Sequence, residues 1–273
     1  MENGTITYTQ LLREDLGIFR VTPDDGVPDF KAGQFLNLGL PLESKIVNRA
    51  YSIASSPENR DYFEFVIRWV RKPLPGRLTS LLFNAKEGDK ISWTKPAGTL
   101  TINDTLPNGE KDTRRIVCIG GGTGLAPFIS FAQHLHDTHD KREIVILHGA
   151  SYVDELSYKQ LLTDLENESI AKGADKWNFK YRAAISRPQE WTNRAWHGYK
   201  GRIEQFLRTS DNGKSPLEDL VGEKITADNT MFYVCGWQGT IDGVMDYLKA
   251  KNFVTEKNKR EDGSYEVKFE SYG

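Results

Sequence analysis

Cysteine is nearly missing from this chain, with two in 273 residues. Cys118 and Cys235 lie far apart, each inside an apolar run, Ile116-Val117-Cys118-Ile119 and Phe232-Tyr233-Val234-Cys235. That placement suits buried reduced thiols and excludes a disulfide framework. It also excludes a four-thiolate iron–sulfur centre, so if electrons move here the metal belongs to a partner. Long hydrophobic runs are missing too: no stretch reaches the roughly 18 apolar residues of a membrane span. Residues 1–10 contain neither the basic nor the apolar segment of a secretory signal, and a cytoplasmic protein without membrane contact is expected. A third absence is an excess of charge of one sign. The 36 Lys and Arg are offset by 38 Asp and Glu, for a net charge of −2. This excludes a globally basic nucleic-acid binder and makes any electrostatic docking local. His134 and His136 stand two apart on the helix expected at 126–136 and so share no face, His139 lies beyond that helix, and no cysteine frames them. No metal site is expected.

What is present points to two domains. A chain of this length exceeds the usual span of about 100–200 residues for one domain. From residue 6 to about 102, short segments rich in β-branched and aromatic residues (17–22, 34–40, 63–70 and 90–93) are separated by Gly, Pro, Asn and Asp, the pattern of a small antiparallel barrel. Residues 103–113 are polar and contain Pro and Gly, so the linker is placed there and the domains at 1–108 and 109–273. Beyond it, apolar strands at 115–119, 143–148, 177–185 and 231–235 alternate with helices at 126–136, 156–166, 203–207 and 240–251. Strands buried on both faces between helices make a parallel doubly wound sheet, which binds nucleotides at the carboxyl ends of its strands. The fold class expected is therefore a two-domain α+β chain, a β-barrel followed by an α/β domain.

Four stretches carry candidate chemistry. Arg49-Ala50-Tyr51-Ser52 reads as a strand end that presents a cation, a flat ring and a hydroxyl, groups that suit a phosphate, a planar heterocycle and a ring nitrogen, as in a flavin nucleotide. An ordinary amphipathic strand would have the same pattern. Pro75-Gly76-Arg77-Leu78-Thr79 reads as a turn into a helix whose exposed N–H groups could hold a pyrophosphate, or as a capped helix over a barrel mouth. Gly120-Gly121-Gly122-Thr123-Gly124 stands between a strand and a helix, the context of a dinucleotide-binding loop, and lacks the Lys-Ser/Thr of an ATP-binding loop. Ser186-Arg187 and Arg202 lie at strand and helix ends where two guanidinium forks could take an extra phosphate, or could simply be solvated. Arg68, Arg71, Lys72 and Arg77, opposed between residues 63 and 77 only by Glu64, suggest a basic docking patch or a solvated loop.

Arg49 to Ser56, Gly120-Gly-Gly-Thr-Gly-Leu-Ala-Pro-Phe128 and Tyr233-Val-Cys-Gly-Trp-Gln-Gly239, in this order, resemble the ferredoxin–NADP reductase family of flavoproteins over nearly the whole chain. The resemblance implies an FAD-binding barrel, an NADP(H)-binding α/β domain, and electron transfer between NADPH and a one-electron carrier, ferredoxin or flavodoxin, by a monomer. It implies that Arg49 holds the FAD pyrophosphate, Ala50 and Tyr51 line the isoalloxazine, and Ser52 lies near its N5. Arg68, Gly76, Arg77, Leu78 and Thr79 would complete the flavin site. Gly122, Thr123, Gly124, Pro127 and Gly236 would line the nicotinamide nucleotide, with Ser186, Arg187, Tyr199 and Arg202 at its adenine and 2′-phosphate. Ser52, Cys235 and Tyr272 would stand at the reacting rings, Tyr272 covering a flavin face. Two departures are Gly273 beyond the terminal aromatic residue and Arg77 inside the second flavin segment. Other readings are a reductase component of an oxygenase, a free-flavin reductase, and a non-enzymatic nucleotide-binding interaction module.

Overall fold

The computed structural model describes residues 2–71, 74–211 and 213–272. Its chain forms two units, residues 1–102 with 126–138, and residues 103–125 with 139–273.

The first unit holds strands β1 (Glu2–Arg13), β2 (Leu16–Pro23), β3 (Phe35–Leu42), β4 (Lys45–Ser52) and β5 (Phe63–Arg68), helix α1 (Arg77–Asn84), strand β6 (Lys90–Trp93) and helix α2 (Ala126–Asp137). The six strands form one antiparallel sheet in the order β4-β3-β6-β1-β2-β5. Past Ser52 the chain ties the two edges together, since Ala54 N donates to Glu64 O at 2.7 Å. Inward positions of the alternating strands supply the core, with Ile6, Phe19, Leu36, Leu38, Phe63 and Phe65 fully enclosed. Alternation alone did not reveal the full length of β1, because this strand buries only Gly4 and Ile6 and is otherwise polar. Gly33 turns the chain into β3 at φ +90°, and a Cβ there would lie 2.0 Å from the Leu100 carbonyl oxygen, so only glycine fits.

Helix α2 follows the glycine turn in sequence but packs in the first unit. Ser130 Oγ donates to Ser55 O at 2.8 Å, Gln133 Nε2 donates to Ala54 O at 2.9 Å, and His134 Nδ1 lies 2.8 Å from Glu58 Oε1. The segment just beyond Arg49-Ala50-Tyr51-Ser52 is thereby clamped.

The second unit holds β7 (Arg115–Gly121), β8 (Ile144–Ala150), α3 (Lys159–Lys172), β9 (Phe179–Ile185), β10 (Tyr199–Lys200), α4 (Pro216–Val221), β11 (Thr230–Gly236), α5 (Gln238–Ala250) and β12 (Val267–Ser271). The sheet is parallel throughout, in the order β10-β9-β8-β7-β11-β12. Every residue of β7 and β11 is buried, which explains their unbroken apolar runs. The chain winds outward from β7 through β10, then returns to lay β11 on the other side of β7. The strand order therefore reverses between β7 and β11, and a crevice at their carboxyl ends is where such sheets take ligands. Two helix expectations shift. Residues 203–207 form a short 3-10 turn, and α3 starts at Lys159 because Tyr158 adopts a left-handed backbone, φ 57°. Among the described residues no helix is long and apolar enough to cross a membrane.

Candidate functional site

In the first unit, the strand geometry of β4 places Arg49 and Tyr51 on one face. Arg49 pairs in register with Leu38, Tyr51 with Leu36 and Ser52 with Phe35. Ala50 and Arg49 are exposed, while Tyr51 and Ser52 are half-buried. Burial pushes the Tyr51 phenol up to about 12, against the pull of the Arg49 charge, so the ring enters any chemistry neutral. A cleft of 430 Å³ brings Arg49 together with Lys45, Gly76 and Arg77. Helix α1 begins there with Gly76 as its cap residue and no side chain capping it. Its first N–H groups and three cations thus converge on one concavity, which fits a diphosphate. Leu78 and Thr79 are buried, 1% and 7% exposed, and serve the core and the helix turn, the Thr79 hydroxyl donating to Gly76 O.

Arg68 is placed elsewhere: its guanidinium donates to Asp15 at 3.0 Å. The basic docking patch also needs correction. Arg71 binds Glu14 through Nη1 at 3.1 Å, and Glu64 is occupied by Arg20 at 2.7 Å. Glu14 and Asp15 form the β1–β2 turn, and the pairing of Leu16 with Arg68 brings that turn against the end of β5. Counting charges along residues 63–77 missed them. Lys72 lies outside the described residues.

In the second unit, the expected nucleotide loop caps β7. Gly120 and Gly121 end the strand and Gly122–Leu125 make a 3-10 turn, with Gly122 at φ +58°. Gly124 sits directly on β11, and a Cβ added to it would fall 2.3 Å from the Cys235 carbonyl oxygen. Thr123 is half-buried, and Gly236 ends β11 beside this turn. Pro127, buried in the first turn of α2, belongs to the packing of the first unit. Cys118 and Cys235 are both buried free thiols whose pKa burial raises, so Cys235 stays a neutral thiol.

Tyr272 reaches this turn. Thr123 Oγ1 and Tyr272 Oη are 3.2 Å apart, Tyr272 Oη donates to Gly121 O at 3.1 Å, and the ring meets Trp237 edge-on at 6.1 Å. Gly273 lies outside the described residues.

Sequence reasoning missed Glu270. It stands opposite Cys235 in the β11–β12 register, one carboxylate oxygen is buried without a partner, and burial raises its pKa. The available signal was an acidic residue near the end of an alternating strand, two positions before Tyr272.

His148 on β8 was also missed. It pairs in register with Gly120 beneath the turn and is fully buried, with neither ring nitrogen in a hydrogen bond. Burial drives its pKa from 6.5 to about 4, with the nearby Gly122 backbone pulling the other way. The unfolded chain takes up that proton near pH 6.5 and the folded chain only near 4, so stability present above 6.5 is lost as pH falls through that window. In urea titrations His148→Phe is expected to flatten the fall in stability between pH 6.5 and 4. An equally steep slope in the variant would sink this assignment.

At the carboxyl edge of the sheet, Ser186 N donates to Ala150 O at 2.9 Å, and the exposed Arg187 donates to Tyr152 Oη at 2.8 Å. Tyr199 packs its ring 4.4 Å from Phe206, toward the core. Arg202 is ion-paired to Glu204, and its Nη2 donates to Gly239 O at 3.1 Å. Arg187 and Arg202 therefore sit in different settings, the second already partly neutralised.

Residues 4–102 match the model of an oxidoreductase FAD-binding domain, and residues 118–246 that of an oxidoreductase NAD-binding domain. A ferredoxin–NADP reductase of Azotobacter vinelandii is 31% identical over 238 residues, 86% of this chain and 84% of that protein. The chain belongs to the ferredoxin–NADP reductase family. The reductase component of a propane 2-monooxygenase from Mycolicibacterium goodii is 28% identical over 87% of this chain and 60% of its own length. The fold also matches a crystal structure of a ferredoxin–NADP reductase from Neisseria gonorrhoeae with bound FAD and NADP, at a TM-score of 0.77 and 23% identity over 98% of this chain and 97% of that one. As a member of this family the protein is an FAD-dependent NAD(P)H oxidoreductase.

Proposed function

We propose that the protein moves electrons between NADPH and a separate one-electron carrier, ferredoxin or flavodoxin. The observation that carries this reading is the pair of cysteines, both buried in strands of the second unit, which leaves this sequence no four-thiolate cluster of its own. In this reading electrons that reach the flavin leave to a separate carrier. FAD, when bound, supplies the chemistry that links two-electron and one-electron transfer.

In this reading the chain's residues bind and orient. Arg49, Lys45 and Arg77, with the start of α1, take the FAD diphosphate, while Tyr51 and Ser52 at the end of β4 contact the ring system. The turn Gly120–Gly124 admits the nicotinamide nucleotide at the β7–β11 switch point. The neutral Cys235 thiol adds no charge to that crevice, and burial raises the pKa of the Glu270 carboxyl opposite it. Arg187 takes the 2′-phosphate, which NADPH has and NADH lacks. Domain boundaries near residue 108 and a monomeric, cytoplasmic protein are part of the same proposal.

Two measurements test it. Stopped-flow mixing with NADPH or NADH is expected to show faster flavin reduction by NADPH, followed by oxidation on adding ferredoxin or flavodoxin. Equal rates with both nucleotides, or oxidation only by a dedicated oxygenase, would refute it. Separately, Arg49→Ala is expected to weaken FAD about tenfold in equilibrium dialysis. Its guanidinium is exposed, so the loss lies near the lower end of the roughly 1.5–3 kcal/mol of a charge-assisted hydrogen bond. Unchanged retention would remove Arg49 from the site.

A further inference from the structure

We infer that Asn193 is the positioning residue for the preference between the two nicotinamide nucleotides. The inference rests on the reading of Arg187 as the 2′-phosphate ligand.

Asn193 ends a 3-10 turn, Trp191–Asn193, and is 1% exposed. Its side-chain amide bridges two loops. Oδ1 accepts from Val153 N at 2.9 Å, and Nδ2 donates to both Ser151 O at 2.9 Å and Arg187 O at 2.8 Å. The partners fix the orientation of the amide, since the flipped form would set its oxygen against two carbonyls.

The loops it joins leave neighbouring strands at matched positions. Ala150 and Ile185 pair at the ends of β8 and β9, so Tyr152 and Arg187 each lie two residues beyond their strand. That symmetry lets Arg187 Nη1 donate to Tyr152 Oη at 2.8 Å, with the guanidinium carbon 5.4 Å from the ring centre. Glu155 clamps the same segment from the other side, as its Oε2 accepts from Ser151 N at 3.0 Å and Tyr152 N at 3.3 Å.

The consequence is chemical. Loops at strand ends usually offer backbone N–H groups to phosphate oxygens. Here the N–H groups of Ser151, Tyr152 and Val153 are spent on Glu155 and Asn193. Recognition of an extra phosphate then falls on the Arg187 fork, and its reach depends on how firmly the backbone of Arg187 is held. Asn193 holds that backbone directly and Tyr152 aims the guanidinium. Arg202, paired with Glu204, adds less.

The test is steady-state turnover with ferricyanide as acceptor, comparing NADPH and NADH for the flavin-loaded protein and its Asn193→Ala and Asn193→Asp variants. Asp keeps the acceptor for Val153 N and loses both donors. Each variant is expected to raise the ratio KM(NADPH)/KM(NADH) about tenfold, with kcat within about twofold and the flavin spectrum unchanged. An unchanged ratio, or a parallel rise in both KM values, overturns the inference. Arg187→Ala separates the two layers of argument. If it leaves the ratio unchanged, the phosphate reading fails and the inference falls with it, whereas a shift there without one at Asn193 defeats the clamp alone. Should neither Asn193 variant load flavin, Tyr152→Phe decides: a rise of about threefold in the ratio supports the inference and no change overturns it.

Discussion

Gly124→Ala is expected to lower kcat/KM for NADPH by about a hundredfold while the protein keeps its flavin. A Cβ at this position lies 2.3 Å from the Cys235 carbonyl oxygen, 2.6 Å from its carbon and 2.7 Å from Tyr272 Oη. The first two are backbone atoms at the end of β11 and cannot rotate away, so the turn itself has to lift off the strand. Forced overpacking of this kind costs about 1–3 kcal/mol, and the upper end applies because no flexible side chain absorbs it. The lift moves Gly121 and Thr123, which the proposed nucleotide site needs, and leaves Arg49, Gly76 and Arg77 of the other unit where they are. Gly122→Ala is the contrasting variant. Its Cβ meets nothing within 4 Å, and only the left-handed backbone at φ +58° opposes it, worth about 1–2 kcal/mol. Stopped-flow reduction and flavin absorbance of both variants check the ranking, and a Gly124→Ala protein with normal kcat/KM would show that the contact is not part of the site.

The glycine turn was legible because its signal is local. A strand, a run of glycines and a helix start are contiguous in sequence, and the physics that demands glycine acts over the same few residues. The same holds for Arg49 to Ser52, where two-residue alternation alone puts Arg49 and Tyr51 on one face. What escaped depends on register. Glu14 and Asp15 cancel Arg71 and Arg68 only because β1 and β2 turn back beside β5, roughly fifty residues away in sequence. Glu270 faces Cys235, and His148 lies under Gly120, through parallel pairings that no window of sequence displays. The packing of α2 with the first unit is of the same type, since Ser130 and Gln133 find their carbonyls on a segment some seventy-five residues earlier. The Asn193 clamp is the extreme case, three hydrogen bonds to two loops from a residue that composition marks only as polar.

Tyr272 is where the sequence expectation and the observed geometry meet most usefully. The expectation has its ring covering a flavin face, and the geometry within the second unit gives a direct reason for it to compete with the nicotinamide nucleotide. Tyr272 Oη lies on Gly121 O and Thr123 Oγ1, the turn proposed to receive the nucleotide, and the ring packs on Trp237. Its backbone N also donates to Gly236 O at 3.2 Å, which holds the chain end along β11. A nucleotide that enters this turn has to release the phenol first. Two hydrogen bonds at about 1 kcal/mol each and an aromatic contact of roughly 0.5–1.5 kcal/mol set the cost of displacement at about 2.5–3.5 kcal/mol. Deleting residues 272 and 273 removes that cost from the bound state, so oxidised nicotinamide nucleotide is expected to bind roughly 70- to 370-fold more tightly. Its release should slow in proportion, and turnover at saturating NADPH should fall as release becomes limiting. Tyr272→Phe separates the contributions, as it keeps the ring on Trp237 and loses the hydroxyl. It is expected to tighten binding by less than the truncation does. Titration of the flavin-loaded proteins with NADP, followed by difference absorbance, gives the affinities. If the truncated protein binds the nucleotide no more tightly than the full chain, Tyr272 does not guard the turn.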